Sequence, residues 1–82
     1  MIAAKLTYDP RYNVAYIHLR DKPAEMETLR ISDELNIDLS PDGTIYGLEL
    51  LNANQQLAVG PQGELVIINE SSGARTAVKL PA

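Results

Sequence analysis

The chain has 82 residues, with seven Lys and Arg, eleven Asp and Glu and no Cys, so its formal charge is −4. A negative charge is the wrong sign for neutralising phosphates, and we expect no nucleic-acid partner. No uninterrupted apolar run, residues 65–68 included, approaches the length that spans a bilayer, and residues 1–7 contain no apolar leader segment.

Length and cysteine content also bear on compartment and stability. We expect a cytoplasmic protein without a membrane contact, and the absence of cysteine agrees with a reducing compartment. A chain this short buries only roughly 60 to 65% of the surface that it exposes when unfolded, so we expect one domain, residues 1–82, of marginal stability. Small proteins gain stability from disulfides, a structural metal or oligomerisation. Without cysteine, self-association as a homodimer is the remaining candidate.

The first two predicted strands, residues 4–8 and 14–19, alternate between apolar and polar side chains. Between them Pro10 fixes its own φ and restricts Asp9 before it, which predicts a turn at residues 10–13. We expect the two strands to pair with each other across this turn.

A polar turn at residues 20–23 leads to a segment with two interpretations. Residues 25–31 alternate in the manner of a strand, which is the interpretation that we favour. Good helix formers directly follow Pro23, however, so a short helix is the alternative.

The clearest element is a β-hairpin in the middle of the chain. Its first strand, residues 35–40, has one apolar face, typical of a sheet with one side in water, made of Leu35, Ile37 and Leu39. The turn at residues 41–43 contains a proline that presets φ and a glycine that accepts a positive φ. Residues 44–51 return as the second strand.

The C-terminal third predicts one irregular segment and a second hairpin. Residues 52–60 lose the alternation and favour one helical turn or an irregular connection, and residues 64–69 and 75–80 form strands joined by a loop at residues 70–74. We therefore predict a mainly β fold, an antiparallel meander of about five to seven short strands with a C-terminal hairpin and at most one short helix around residues 52–58. The pairing order of the strands stays open.

Few residues suggest chemistry. His18 is the only histidine and could act as a general base, but its place in the middle of a strand favours a surface or half-buried strand residue. The serines lie in turns or at strand ends rather than on a strained elbow, and residues 60–63 are a plain turn rather than a phosphate loop. We assign no catalytic residue and no cofactor.

Four carboxylates could converge on a hard cation, with His18 as a possible fifth ligand: Asp9, Asp38, Asp42 and Glu49. Asp9 and Asp42 each neighbour a proline, where aspartate commonly shapes a turn, and the alternation around Asp38 predicts that it faces water.

Glu49 has two interpretations, because it is an ionisable group within an apolar stretch. Burial without a partner would raise its pKa and suggest a functional site. The alternative, which we favour, places Glu49 with Ile45 and Gly47 on the second face, towards solvent or a cross-strand Arg or Lys.

Two stretches together resemble the prokaryotic family known as domain of unknown function 2283. The first runs from Tyr8 and Asp9 through residues 15–19, and the second is the Asp-Gly-Thr-Ile-Tyr-Gly-Leu-Glu stretch at residues 42–49 with the two leucines after it. The resemblance covers about residues 6–53. The resemblance implies a small β fold without an established activity. Members of this family look like neighbours of small toxin-like proteins in some bacterial genomes, which implies an antitoxin-like or other protein-binding role.

One position departs from the family pattern. Asn13 stands where the family usually has an aspartate, and because Asn and Asp share the ability to form turns, the departure favours a structural role for this position. The C-terminal hairpin lies outside the resemblance and is either a local extension that completes the sheet or a dimer contact.

The leading functional hypothesis is a non-enzymatic protein-interaction module whose apolar sheet face packs on its own C-terminal hairpin and on a second copy. The rival is a carboxylate-based metal-binding or hydrolytic domain that uses the five residues named above. A third possibility is an antitoxin-like partner of a small toxin.

Overall fold

The computed structural model describes residues 4–21, 23–57 and 63–80. It is mainly β, which confirms the predicted fold class. The elements in chain order are β1 (Lys5–Asp9), β2 (Val14–His18), β3 (Glu27–Ser32), β4 (Leu35–Leu39), β5 (Ile45–Leu51), α1 (Ala53–Gln56), β6 (Glu64–Ile68) and β7 (Arg75–Lys79).

The segment with two interpretations is a strand, β3, so the helical alternative was wrong. The predicted helical turn after residue 52 is α1, one turn long. Residues 58–60 of that segment, residues 60–62 of the predicted Gly-Pro turn and residue 22 of the polar turn lie outside the described residues.

Five strands form one antiparallel sheet in the order β1-β2-β5-β4-β3, and β6 pairs with β7 in a separate two-stranded sheet. The predicted pairing of β1 with β2 and the predicted hairpin of β4 with β5 are both confirmed. The strand order, which the sequence left open, follows from the position of β5, which pairs with β4 on one side and with β2 on the other. A three-stranded meander, β3 to β5, is thus extended by the first hairpin.

The register gives the large sheet one apolar and one polar face, because residues directly opposite each other point to the same side. Leu6, Ile17, Leu48, Ile37 and Leu29 form one row across all five strands and belong to what we call the apolar face. The next row belongs to the polar face and consists of Lys5, His18, Gly47, Asp38 and Thr28.

A bulge in the central hairpin changes the side on which Ile45 lies. Asp38 pairs with Gly47, but the next residue, Leu39, pairs with Ile45, so Tyr46 is the extra residue on β5. A bulge residue breaks the period of two. Ile45 therefore joins Leu39 on the apolar face, and the expectation that it shares a side with Gly47 and Glu49 was wrong.

The interior is small. Among the described residues the only buried hydrophobic side chains are Ala15, Ala53 and Leu80, and no large side chain is fully buried. The base of the second hairpin lies against the apolar face, where a groove of about 210 Å³ is lined by Ala4, Lys5, Leu6, Ile17, Leu57 and Leu65.

Candidate functional site

The polar face is organised around Tyr16, which lies on β2 and reaches across β5. Its hydroxyl donates a hydrogen bond to Oδ2 of Asp38 on β4. The ring can take this path because Gly47, the residue of β5 between them, has no side chain: a Cβ there would collide with the hydroxyl and ring carbons of Tyr16. One side chain thus ties together two strands that are not neighbours.

Asp38 is the most buried ionisable residue of this face. It is 9% exposed, and in addition to the Tyr16 bond its Oδ1 accepts a hydrogen bond of 2.7 Å from Oγ1 of Thr28 on β3. Alternation correctly places Asp38 on the polar face, but the expectation that it faces water was wrong. The covering groups come from strands distant in sequence, which a local pattern does not register.

The environment of Tyr16 keeps its hydroxyl protonated. Burial is the largest cause, and the hydrogen bond to Asp38 is the next, of a Tyr16 pKa raised well above its ordinary value. A neutral phenol next to a carboxylate donates a hydrogen bond and is a poor nucleophile or base at neutral pH. The hydrogen bond from Tyr16 to Asp38 links β2 to β4.

His18 lies next to Tyr16 on the same face. The two ring centroids are 4.3 Å apart with planes inclined by 54°, and Nε2 of His18 is 3.5 Å from Oγ1 of Thr7 on β1. The half-buried position that the sequence favoured agrees with this packing.

Glu49 is half-buried and pairs with an amide rather than a cation. Its Oε1 accepts a hydrogen bond of 2.9 Å from Nδ2 of Asn36, its cross-strand neighbour on β4. Glu49 lies on the polar face with Gly47, as expected, but its cross-strand partner is an amide and not an Arg or Lys. The other amide atom, Oδ1 of Asn36, is buried and has no hydrogen-bond partner in the part of the chain that the structure describes.

Asp9 and Asp42 lie apart from this cluster and shape turns. Asp9 accepts a backbone hydrogen bond of 2.9 Å and two side-chain bonds from Arg11, and the side-chain bond to Arg11 is the main reason that its pKa is lowered. Asp42 accepts bonds from the hydroxyl of Ser40 and, at 2.9 Å, from the amide of Thr44. These contacts, led by Ser40, lower the Asp42 pKa to about 2.

The five candidate ligands are therefore divided between the face and the turns. His18, Asp38 and Glu49 share the polar face, whereas Asp9 and Asp42 do not join them. Across residues 4–21, 23–57 and 63–80, no three His, Asp or Glu side chains are grouped so that they could hold a metal ion.

An open groove of about 540 Å³ lies beside Tyr16, and its walls are Thr7, Tyr8, Asp9, Pro10, Arg11, Val14 and Tyr16. Its opposite charges are Asp9 and Arg11, which are paired with each other at 3.1 Å. The groove consequently has no concentrated charge to attract an ion.

Sequence reasoning missed the role of Asn13 in capping α1. Asn13 has a φ of 56°, and its carbonyl oxygen accepts a bond of 3.0 Å from the amide of Ala53. Its side-chain oxygen accepts a bond of 2.6 Å from the amide of Asn54, while its Nδ2 donates to Oδ1 of Asn52. The available signal was a turn-forming Asn directly before a predicted strand.

The fold and the polar face define a small antiparallel sheet protein whose four candidate carboxylates, Asp9, Asp38, Asp42 and Glu49, are hydrogen-bonded within the sheet and its turns. Residues 5–54 match the model of a family described as protein of unknown function, DUF2283, so the chain belongs to that family. The match runs from β1 into α1 and stops short of the second hairpin.

No curated protein and no solved structure matches the chain. Within the described residues, no helix has the length and apolar character needed to cross a membrane.

Proposed function

We propose that this protein is a non-enzymatic interaction module that associates with a second copy of itself through the apolar face of its sheet. One observation carries the proposal: large apolar side chains of the sheet and hairpin stay exposed in the single chain. They include Leu29 and Ile45 on the apolar face and Ile67 and Val78 on the hairpin. Such surfaces mark sites of association.

The accessible area supports the same proposal. The chain exposes 5971 Å², whereas a compact monomer of 9.0 kDa exposes about 4,900 Å². The excess of about 1,100 Å² is more than the roughly 800 Å² that each partner buries in a standard protein interface. Its radius of gyration of 14.2 Å also exceeds the roughly 12 Å expected of a compact domain of this length.

The polar face supports a role without catalysis. Tyr16 and Thr28 use their hydroxyl donors on Asp38, and Asn36 donates to Glu49. Groups held in this way stabilise the sheet and leave the apolar face as the surface available for binding.

Sedimentation equilibrium at micromolar concentration tests the proposal. We expect a dimer for the native chain and a weakened dimer for Ile45→Glu, which places a charge on the apolar face. The matched control is Tyr12→Glu, because Tyr12 is 73% exposed in the turn between β1 and β2, where it should leave the dimer intact. A folded native monomer would contradict self-association.

A further inference from the structure

We infer that the hairpin β6–β7 is an exchange arm, an inference that rests on the proposed self-association. In the dimer, the apolar side of the arm, with Ile67 and Val78, lies on the β3 end of the apolar face of the second copy. Each copy gives one arm and receives one.

Burial changes along the arm. Leu65, Ile67 and Val78 share one side of the hairpin, because Leu65 pairs with Val78 and Ile67 is two residues from Leu65. At the base, Leu65 lines the groove with Leu6 and Ile17 of the same chain, and Leu80 is buried. On the same side, Val78 directly opposite Leu65 is 45% exposed, and Ile67 farther along is 59% exposed. Leu65 therefore packs on its own sheet, whereas the apolar side at Val78 and Ile67 is uncovered.

The sheet has a matching uncovered area away from the arm's base. The base lies over β1 and β2, whereas Leu29 on the edge strand β3 is 51% exposed and Ile45, the first residue of the central strand β5, is 40% exposed. Both lie on the apolar face. The chain thus has both a projecting apolar hairpin and an exposed apolar sheet surface. In a two-fold dimer each copy can place its hairpin on the sheet surface of the other.

Stability and area favour the second copy as the occupant. A two-stranded hairpin is at best marginally stable alone, and among the described strands β6 and β7 pair only with each other. Arg75 and Lys79 lie with Glu64 on the side of the arm opposite Ile67, so the apolar side is free of charge. The excess accessible area of about 1,100 Å² is more than the roughly 800 Å² that each partner of a standard interface buries.

Engineered cysteines test the placement, since the native chain has none. Ile67→Cys and a tagged Leu29→Cys are purified separately, mixed and oxidised. We expect a cross-linked heterodimer, which mass spectrometry identifies by the disulfide-linked peptide that joins position 67 of one copy to position 29 of the other. The matched control is Ile68→Cys, because Ile68 is 57% exposed but lies on the opposite side of the arm, and this variant should cross-link at least tenfold less.

Charge variants supply an independent measurement. We expect Ile67→Lys and Leu29→Lys each to raise the dimer dissociation constant at least tenfold, and Ile68→Lys to change it about threefold or less. Circular dichroism checks that these exposed substitutions leave the fold intact.

The outcomes separate this inference from the proposed function. A native monomer would defeat both. A native dimer in which position 67 does not cross-link to position 29, or in which position 68 cross-links equally well, would overturn the arm exchange and leave self-association standing.

Discussion

At the scale of single residues, the polar face depends on Tyr16, Gly47 and Asp38 acting as one unit. Tyr16 reaches Asp38 only because Gly47 leaves room for its ring, and Thr28 completes the contacts of the carboxylate. The three parts come from β2, β5 and β4, so the unit fixes the register of the central strands. Removing any part should be measurable as a loss of stability.

Tyr16→Phe removes the donor to a buried carboxylate, and we expect a loss of about 1–3 kcal/mol in the free energy of unfolding at neutral pH. Urea unfolding followed by circular dichroism measures it. The control Tyr12→Phe changes an exposed ring and should stay within about 0.5 kcal/mol of the native chain. Equal stabilities for the two variants would contradict the role assigned to Tyr16.

The stability difference between the native chain and Tyr16→Phe should depend on pH in the alkaline range. Burial, and then the bond to Asp38, raise the Tyr16 pKa in the folded state, so folding favours the protonated hydroxyl. Its contribution is complete below the ordinary tyrosine pKa of about 10 and is lost as the pH rises above that value. The stability difference between the native chain and Tyr16→Phe should therefore shrink above about pH 10. A constant difference would exclude this linkage.

Gly47→Ala should displace the Tyr16 ring, because the new Cβ collides with it. We expect a cost of about 1–3 kcal/mol from the broken bond to Asp38. In a Tyr16→Ala background the collision is absent, and alanine should be neutral or slightly stabilising, since glycine weakens a strand. A double-mutant cycle by urea unfolding measures the coupling, and additive costs would contradict the steric explanation.

At the scale of elements, α1 shows how a short helix depends on its neighbours. Four residues are far too few for a stable isolated helix, and Asn52 provides no side-chain cap. The amides of Ala53 and Asn54 are bonded instead by Asn13, in the turn between β1 and β2. The family match over residues 5–54 covers both the turn with Asn13 and the start of α1.

Asn13→Ala should remove this cap and place alanine at a positive φ, at a cost of about 1–2 kcal/mol. Asn13→Asp keeps a side-chain acceptor for the amide of Asn54 and tolerates the backbone conformation, so we expect a smaller loss. Thermal and urea unfolding of both variants measure the two costs. Equal losses would show that the cap bond contributes little.

The strands of the central hairpin were predictable from the local sequence pattern. Alternation and the turn at residues 41–43 predicted β4 and β5, and the side shared by Leu35, Ile37 and Leu39 is confirmed. The bulge at Tyr46 and the partners of Asp38 and Glu49 were not predictable. The pairing of Asn36 with Glu49 depends on the register that the bulge sets within the predicted hairpin, and Tyr16 reaches Asp38 from a strand 22 residues away in sequence.

At the scale of the whole molecule, the small interior is the dominant feature. No large side chain of the described residues is fully buried, and oligomerisation is one way in which small proteins with little core gain stability. In the proposed dimer, folding and association are coupled, so we expect stability to depend on protein concentration.

A concentration series tests this coupling. We expect the midpoint of thermal unfolding of the native chain to rise by a few degrees for each tenfold increase in concentration. For Ile67→Lys the dependence should weaken or disappear, whereas Ile68→Lys should behave like the native chain. Differential scanning fluorimetry or calorimetry measures the midpoints, and a midpoint independent of concentration in the native chain would contradict coupled association.

The sequence by itself determined the class of fold, the positions of most strands and the family, because a period of two, prolines and glycines act over a few residues. Only the tertiary structure decided that β2 lies beside β5, that Tyr16 covers Asp38 and that Asn13 caps α1. Those contacts join residues far apart along the chain, and their geometry arises only when the strands pair. The alternation of apolar and polar residues indicates which face of the sheet a side chain lies on. The pairing of the strands determines which side chains it contacts there.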